Sequence, residues 1–492
     1  MTHGGKYAEV KIAPLIDGIS SDSESEKVLD VINPSTGQLL QTISAGSDGD
    51  VDRAISSARR AFDDERWMSV IPSLRKKVLH RFAEKVAQHA QTLDELDAVE
   101  MGKPISLCFA GASSAAEVVR FYAEAVDKVM GDVYCSDKSS FVAQQRVPRG
   151  VVGAIVPWNF PTFNAVLKVS PALAAGNCIV LKPSELSSAS AIVLARLAMD
   201  AGLPPGVFNV VPGRGETVGR ALGLHDDVDM LAFTGSTVVG KKMLQYSAQS
   251  NMKVVAVECG GKSPQIVFPD GVDLDAASAG IANLLLTNQG QICSVGSRLL
   301  VHRSIQSEMI DRICTHLRTI VVGDALNPST TFGPLASSPQ LARVMDYIES
   351  GDADGAQLAF GGKRVLSESG GYFVEPTIFT DVPLNARIAQ EEIFGPVLSV
   401  IPFGDEADAI KIANSTVFGL VAYVWTADLS RGMRMAKNLR SSVVINSCAP
   451  IGEGAGYAFS AEPNRQSGIG TESGLAGMES YMRRHLIWFN HA

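Results

Sequence analysis

Val151-Val152-Gly153-Ala154-Ile155-Val156 and Cys178-Ile179-Val180-Leu181 are short apolar runs joined by a segment of helical texture. Strands that are apolar on both faces belong to parallel sheets covered on both sides. The pattern continues outward. Residues 207–211, 230–233 and 254–257 are further runs of the same kind, and residues 187–201, 216–224 and 238–250 have the spacing and length of crossover helices. Strand and helix in alternation give βαβ units and a doubly wound sheet, which binds dinucleotides at the carboxyl ends of its strands.

A second series runs from Pro264 to about Phe459 and includes strands at 298–302, 372–380, 397–402, 422–425 and 443–446. It reads as a second α/β domain. Ahead of the first sheet, residues 31–126 open with the turn Asn33-Pro34-Ser35-Thr36-Gly37 and continue mostly as helix, with amphipathic spacing at 51–62 and 75–89. Only the first thirty or so residues look loose. Residues 141–146 alternate polar and apolar, as an edge strand outside the main sheets does. The stretch 481–489 carries Ile487, Trp488 and Phe489, which a monomer has trouble covering. Both pieces suit a contact between copies of the chain, and a tail packed on its own domain fits equally well.

A chain of 492 residues exceeds one simple core and predicts two or three domains with room for an enclosed site. Hydrophobic residues at 46% and charged residues at 19% describe an ordinary globular protein rather than a disordered one. A formal net charge of -9, with the two signs scattered, argues against phosphate-backbone binding and so against nucleic acid as a partner. No apolar run is long enough to span a bilayer, and residues 1–20 lack a basic start followed by an apolar core. No membrane association is expected, and the cytoplasm is the default location. The seven cysteines (Cys108, Cys135, Cys178, Cys259, Cys293, Cys314 and Cys448) include no Cys-x-x-Cys pair and no Cys/His cluster, so neither a disulfide framework nor a metal site is expected. Most such thiols are small buried hydrophobes, and one is marked as reactive only by its neighbours.

Cys293 has such neighbours. It ends the run Asn288-Gln289-Gly290-Gln291-Ile292-Cys293, downstream of Glu258-Cys259-Gly260-Gly261-Lys262 and of Pro157-Trp158-Asn159-Phe160-Pro161. A thiolate adds reversibly to a carbonyl, a carboxylate activates water, and an amide N–H holds an oxygen that becomes negative. Together these roles describe oxidation or hydrolysis at an acyl carbon. The phosphate-binding signals are weaker when taken singly. Gly213-Arg214-Gly215 with Gly219 misses the GxGxxG spacing by one residue and reads more readily as a turn than as a cradle. Lys182-Pro183-Ser184-Glu185 ends a strand, where a lysine and a carboxylate can hold ribose hydroxyls. In isolation it reads better as a helix start capped by Ser184 or Ser187. Phe233-Thr234-Gly235-Ser236-Thr237 ends a strand and opens a helix, which either binds a pyrophosphate or is simply capped.

These motifs, followed by Glu391-Glu392-Ile393-Phe394-Gly395-Pro396-Val397, stand in the order found in the NAD(P)-dependent aldehyde dehydrogenase superfamily. The chain resembles that family from Asn33 to about Tyr481. The resemblance implies an α/β fold of two doubly wound domains, one for cofactor and one for catalysis, plus a small β oligomerisation arm. The implied division is an NAD-binding domain from 1–126 and 149–258, a catalytic domain from 259–462, and an arm and C-terminal tail from 127–148 and 463–492. It implies Cys293 as nucleophile, Asn159 as oxyanion donor beside the Cys293 backbone N–H, and Glu258 as general base. Lys182 and Glu185 match adenosine-ribose contacts, Ser236 a pyrophosphate contact, and Trp158, Gly235 and Gly215 the neighbouring cofactor-binding positions. Glu392 matches the residue on the nicotinamide ribose, and Phe394 packs near that ring. Lys168 and Glu472 match a pair that in some members relays the proton from the base toward solvent.

The implied reaction is oxidation of an aldehyde to the carboxylic acid through a Cys293 thiohemiacetal and thioester, with hydride passing to NAD. Members that hand the acyl group to coenzyme A generally lack a carboxylate at position 258, so Glu258 favours hydrolysis. Glu185 repels a 2′-phosphate, so NAD is expected over NADP, which a rotated side chain can still tolerate. The implied partners are a small-molecule aldehyde and further copies of the chain, as a homodimer or homotetramer. The chain departs from the family where many members carry Pro-Phe-Gly-Gly: here the run is Ala461-Glu462-Pro463-Asn464-Arg465-Gln466-Ser467-Gly468-Ile469-Gly470. Thr471 stands where arginine is frequent, and Thr287 where an aromatic is common. The expected substrate pocket of Phe160, Phe163, Asn164, Leu167, Thr287, Ile292 and Ser294 is therefore wider and less aromatic than usual. Without an arginine clamp it favours a hydrophobic or aromatic aldehyde over a dicarboxylic semialdehyde. Two other readings stay open: a cofactor-independent cysteine hydrolase or acyltransferase, and a catalytically silent structural member of the fold.

Overall fold

The structure, a computed structural model, describes residues 10–21, 23, 27–107, 109–448 and 460–491. Five parallel strands lie side by side in the order Phe208–Val210, Cys178–Lys182, Val151–Ile155, Met230–Thr234 and Val254–Glu258. Every residue of Val151–Ile155 and Cys178–Lys182 is buried, because helices cover both faces. The chain order reverses at Val151–Ile155, so crossovers leave it in opposite directions and a crevice opens at the carboxyl ends. Trp158 and Asn159 follow that strand, Lys182 ends the Cys178–Lys182 strand with Glu185 just beyond, and Gly235 and Ser236 follow Met230–Thr234.

The first crossover helix, Pro161–Ala175, starts with proline at its first turn, where no backbone donor is lost, and stops at Gly176 with φ +93°. The described N-terminal residues are less loose than expected. Leu15–Ile16 adds antiparallel to Phe208–Val210 and pairs with Ile19–Ser20, while Ile12, Ala13 and Leu15 are buried. Three apolar side chains on an otherwise open sheet edge supply the burial that the composition of the segment hid. Residues 1–9 and Cys108 lie outside the described residues, as does Phe459 at the expected end of the second series.

The second sheet has the order Gln357–Phe360, Thr377–Thr380, Val397–Phe403, Arg298–His302, Pro264–Val267, Val421–Trp425 and Ser442–Ile445, parallel except for its first strand. The strand expected over 372–380 begins only at Thr377, because the Tyr372 N–H donates to Pro34 O at 3.0 Å and ties that stretch to the turn at 33–37. A short segment near the C-terminus joins the first sheet to a separate two-stranded one. Asn464–Arg465 pairs with Phe418–Gly419, and Gly468–Ile469 pairs antiparallel with Val254–Glu258. Gly468 has φ +143°, and a Cβ there would fall 2.0 Å from Val257 O, so only glycine allows the pairing.

Ser140–Pro148 is the central strand of a separate three-stranded antiparallel sheet, flanked by Asp132–Tyr134 and Met482–Asn490. It was expected as an edge strand; the C-terminal strand covers its second side along the full length. The helix expected over 216–224 splits into a wide turn, Gly215–Gly219, and a short helix, Arg220–Leu224. The helix after the Lys182 motif begins only at Ala189, and neither Ser184 nor Ser187 caps it; its N-cap residue Ser188 makes no side-chain cap bond. No helix among the described residues is long and apolar enough to cross a membrane.

Candidate active site

A cavity of about 1270 Å³ opens between the two sheets. Asn159, Glu258 and Cys293 all line it, as do Trp158, Ser236, Glu392 and Phe394. The loop carrying Cys293 is held by buried amides. Asn288 and Gln289 take left-handed backbone angles, φ 47° and 56°, which for side-chain-bearing residues store strain. They persist because the loop is over-determined: the Asn288 amide donates to Asn159 O at 2.8 Å, the Gln291 amide donates to Asn288 O at 3.1 Å, and Gln291 Oε1 accepts from the Ala336 N–H at 3.0 Å. The Asn159 side chain donates to Gln291 O at 2.9 Å, so the amide and the cysteine loop share one network.

Cys293 is half-buried, and withdrawal from water, with the charges of Glu392, Glu258 and Glu472 beside it, pushes its thiol up to about 12. At rest the sulfur is a thiol. Burial, reinforced by Glu472 and opposed by Lys168, holds the Glu258 carboxyl well above the usual carboxylate range. Lys168 Nζ donates to Glu472, whose side chain keeps 21% of its surface in solvent.

Glu392 sits against a glycine. Its Oε1 accepts from the Gly261 N–H at 3.2 Å, and a Cβ on Gly260 would fall 2.1 Å from its Oε2. Burial pushes the Glu392 carboxyl up to about 7, against the Gly261 hydrogen bond and the cations Arg343 and Lys262. Phe394, at φ 62°, meets Trp158 edge-on with centroids 5.3 Å apart. Gln340 and Arg343, on the helix Ser338–Ala353, donate to the backbone carbonyls of Phe394 and Ile393 and fix this segment. Motif order could not find these two, because they act on backbone from a distant helix.

Lys182 is buried, with Nζ donating to Pro183 O at 2.9 Å and to Glu185 Oε2 at 3.1 Å. Burial lowers its ammonium, against the Glu185 charge. Ser236 caps the helix Thr237–Gln249, its hydroxyl accepting from the Val239 N–H at 3.4 Å. Four expected positions fit less well. The Gly235 N–H is committed to Glu258 O at 3.0 Å, and Gly215 is not among the residues lining the cavity, nor are Lys182 and Glu185.

Phe160, Phe163, Asn164, Leu167, Thr287, Ile292 and Ser294 all line the cavity. Phe109, Phe418 and Tyr423, which were not among the expected pocket residues, also line it. Phe109 meets Phe160 edge-on at 5.3 Å, and the Tyr423 hydroxyl donates to Ser294 O at 3.0 Å. These aromatics arrive from three distant segments and carry no local signal. Among the described residues six cysteines are unpaired, and no group of three or more His, Cys, Asp or Glu could hold a metal.

An α/β enzyme with a thiol, a carboxylate and an amide around one deep funnel is the class that this fold and site define. The chain belongs to the aldehyde dehydrogenase family, whose model it matches over residues 20–487. It is 40% identical to an aldehyde dehydrogenase of Enchytraeus buchholzi over 95% of this chain and 93% of that one. The structure superposes with a TM-score of 0.95 on the aldehyde dehydrogenase KauB from Pseudomonas aeruginosa, at 42% identity and over 100% of both chains. The same figures hold for an indole-3-acetaldehyde dehydrogenase solved with NAD+. The protein is an oxidoreductase that acts on aldehydes.

Proposed function

We propose that this protein oxidises a hydrophobic or aromatic aldehyde to the carboxylic acid with NAD, through a thioester on Cys293 that water then hydrolyses. The observation that carries the reading is the convergence of Cys293, Glu258 and Asn159 on one funnel whose walls are largely apolar and aromatic. The donor set suits a dinucleotide. Lys182 and Glu185 offer a cation and an acceptor for ribose hydroxyls, the helix after Ser236 offers its N-terminus to a pyrophosphate, and Glu392 offers a carboxylate to the second ribose. NAD, when bound, supplies the acceptor for the hydride that leaves the former aldehyde carbon.

The residues then act in order. The Cys293 thiol gives its proton to the Glu258 carboxylate, which sheds it toward solvent before the next step, and the sulfur adds to the aldehyde carbon while the Asn159 amide donates to the oxygen that becomes negative. Collapse of that oxyanion expels hydride and leaves the thioester. Glu258 takes a proton from a water that attacks the thioester carbon; the C–S bond breaks and the acid departs. Lys168 and Glu472 pass the proton outward. The Glu185 carboxylate supports NAD over NADP, because a 2′-phosphate would meet a like charge.

Exposed Leu486, Trp488 and Phe489 on the strand Met482–Asn490 support a homodimer or homotetramer assembled through the three-stranded sheet. Unpaired cysteines suit a reducing compartment, so the cytoplasm is the proposed location. The test is turnover of benzaldehyde, octanal and succinic semialdehyde with NAD and with NADP, read by absorbance of the reduced cofactor. Preference for succinic semialdehyde rejects the substrate class, and turnover with no reduced cofactor favours a hydrolase.

A further inference from the structure

A second, small cavity of about 10 Å³ is lined by Tyr122, Lys168, Glu258, Thr471, Glu472 and Tyr481, among others. Glu258 and Glu472 line this cavity as well as the large one. Tyr122, on the helix Ala112–Ala125, is 1% exposed, and its hydroxyl has no hydrogen-bond partner within the protein. Buried hydroxyls are paired in the great majority of proteins, with protein or with ordered water. The space matches roughly one water sphere, and the lining offers the two to four polar partners that a buried water takes.

We propose that Tyr122 holds one water between Glu258 and the Lys168–Glu472 pair, and that this water carries the proton away from Glu258 after each thioester hydrolysis. The inference rests on Glu258 acting as the base, as set out above. Glu258 leaves hydrolysis as a neutral acid. It gives its proton to the cavity water as that water gives one of its own to the Glu472 carboxylate, so Glu258 is again a carboxylate and nothing is oxidised or reduced. Glu472, partly exposed, then releases the proton to solvent.

Tyr122 itself exchanges no proton with the path. Burial, then the Glu472 charge, hold its phenol well above the ordinary value, so it stays a hydroxyl that orients the water and is a positioning residue. The charged groups acting on Glu258 are Glu472, Lys168 and Glu462. None of them replaces a neutral hydroxyl that can both donate and accept.

The test is Tyr122→Phe, which removes one oxygen. Single turnovers with the best aldehyde of the panel and NAD are quenched in acid, and the acyl-enzyme is counted by intact mass. A proton-transfer partner is worth about 10²- to 10⁴-fold, so a group acting through one water should slow acyl-enzyme decay about tenfold. The burst of reduced cofactor and the NAD affinity should stay at the wild-type value, which a general structural defect would not allow. Wild-type decay in the variant overturns the inference and leaves the functional reading standing. A wild type that forms no acyl-enzyme fails at the functional reading instead. A high-resolution crystal structure of the wild type gives a second check that needs no variant: a water within hydrogen-bond reach of the Tyr122 hydroxyl is expected, and its absence overturns the inference.

Discussion

Replacing Gly260 by alanine should disable Glu392 without unfolding anything. The new Cβ would lie 2.1 to 2.3 Å from the three carboxyl atoms of Glu392, the far end of a flexible side chain, so the carboxylate moves and the backbone stays. Gly260 is absent from the glycines with positive φ, so alanine meets no backbone strain there. A compatible Gly→Ala change adds about 0.4–1 kcal/mol through the unfolded chain, so Tm should hold or rise slightly. What is lost is the Gly261 N–H bond and the placement of the carboxylate in the cofactor cleft. A hydrogen bond to a charged group is worth about 1.5–3 kcal/mol. At about 1.36 kcal/mol per factor of ten, kcat/KM for NAD should fall about 10- to 150-fold. The assay is initial rate against NAD concentration, with Glu392→Ala and the double variant alongside. Because both changes act through one carboxylate, the double should be no worse than Glu392→Ala alone. Wild-type kcat/KM in Gly260→Ala, or full additivity in the double, would refute the reasoning.

Asn159→Ala removes the proposed oxyanion donor and its bond to Gln291 O, and kcat should fall about 10²- to 10³-fold, measured in the steady state with saturating aldehyde. The base must be ionised to work, so turnover should rise with pH through the elevated Glu258 pKa. Glu472→Gln removes a charge that raises this pKa and should move the acid limb of the profile to lower pH, whereas Lys168→Ala should move it higher. Shifts of the same sign in both would contradict the electrostatics. Replacing Trp488 and Phe489 together by serine should yield a smaller species in sedimentation velocity, since their rings are 64% and 60% exposed in the single chain.

The alternation of apolar runs and crossover spacing located the five parallel strands of the first sheet, four of them because strands buried on both faces are written as continuous apolar runs, and the outer one, Val254–Glu258, although it is only partly buried. Motif order likewise pointed to Trp158, Asn159, Ser236, Glu258, Cys293, Glu392 and Phe394, which line the funnel, but also to Lys182, Glu185 and Gly215, which do not. What stayed hidden is carried by contacts between distant segments. Leu15–Ile16 is too short to have a period, yet it completes a sheet edge. Gln340 and Arg343 act on backbone carbonyls, which any helix surface could do. The Ser184 and Ser187 caps failed because helix formation is delayed to Ala189, where the N–H donates to the Glu100 carboxylate from another helix. Three further lining aromatics were missed for the same reason: Phe109, Phe418 and Tyr423 lie far from the motifs read for the pocket.

The segment from Asn464 to Ile469 ties the first sheet to the strand Phe418–Gly419. Its first strand is laced to Phe418–Gly419, its second to Val257 and Glu258, and Ser467 O accepts from the Cys259 N–H at 2.8 Å. Any hinge between the halves would therefore tug on the strand that carries Glu258. Cutting the chain before Asn464 would strip Val254–Glu258 of its outer neighbour and leave a bare edge beside Glu258. Neither half is then free-standing: the alignment of Glu258 with Cys293 is a property of the stitched whole.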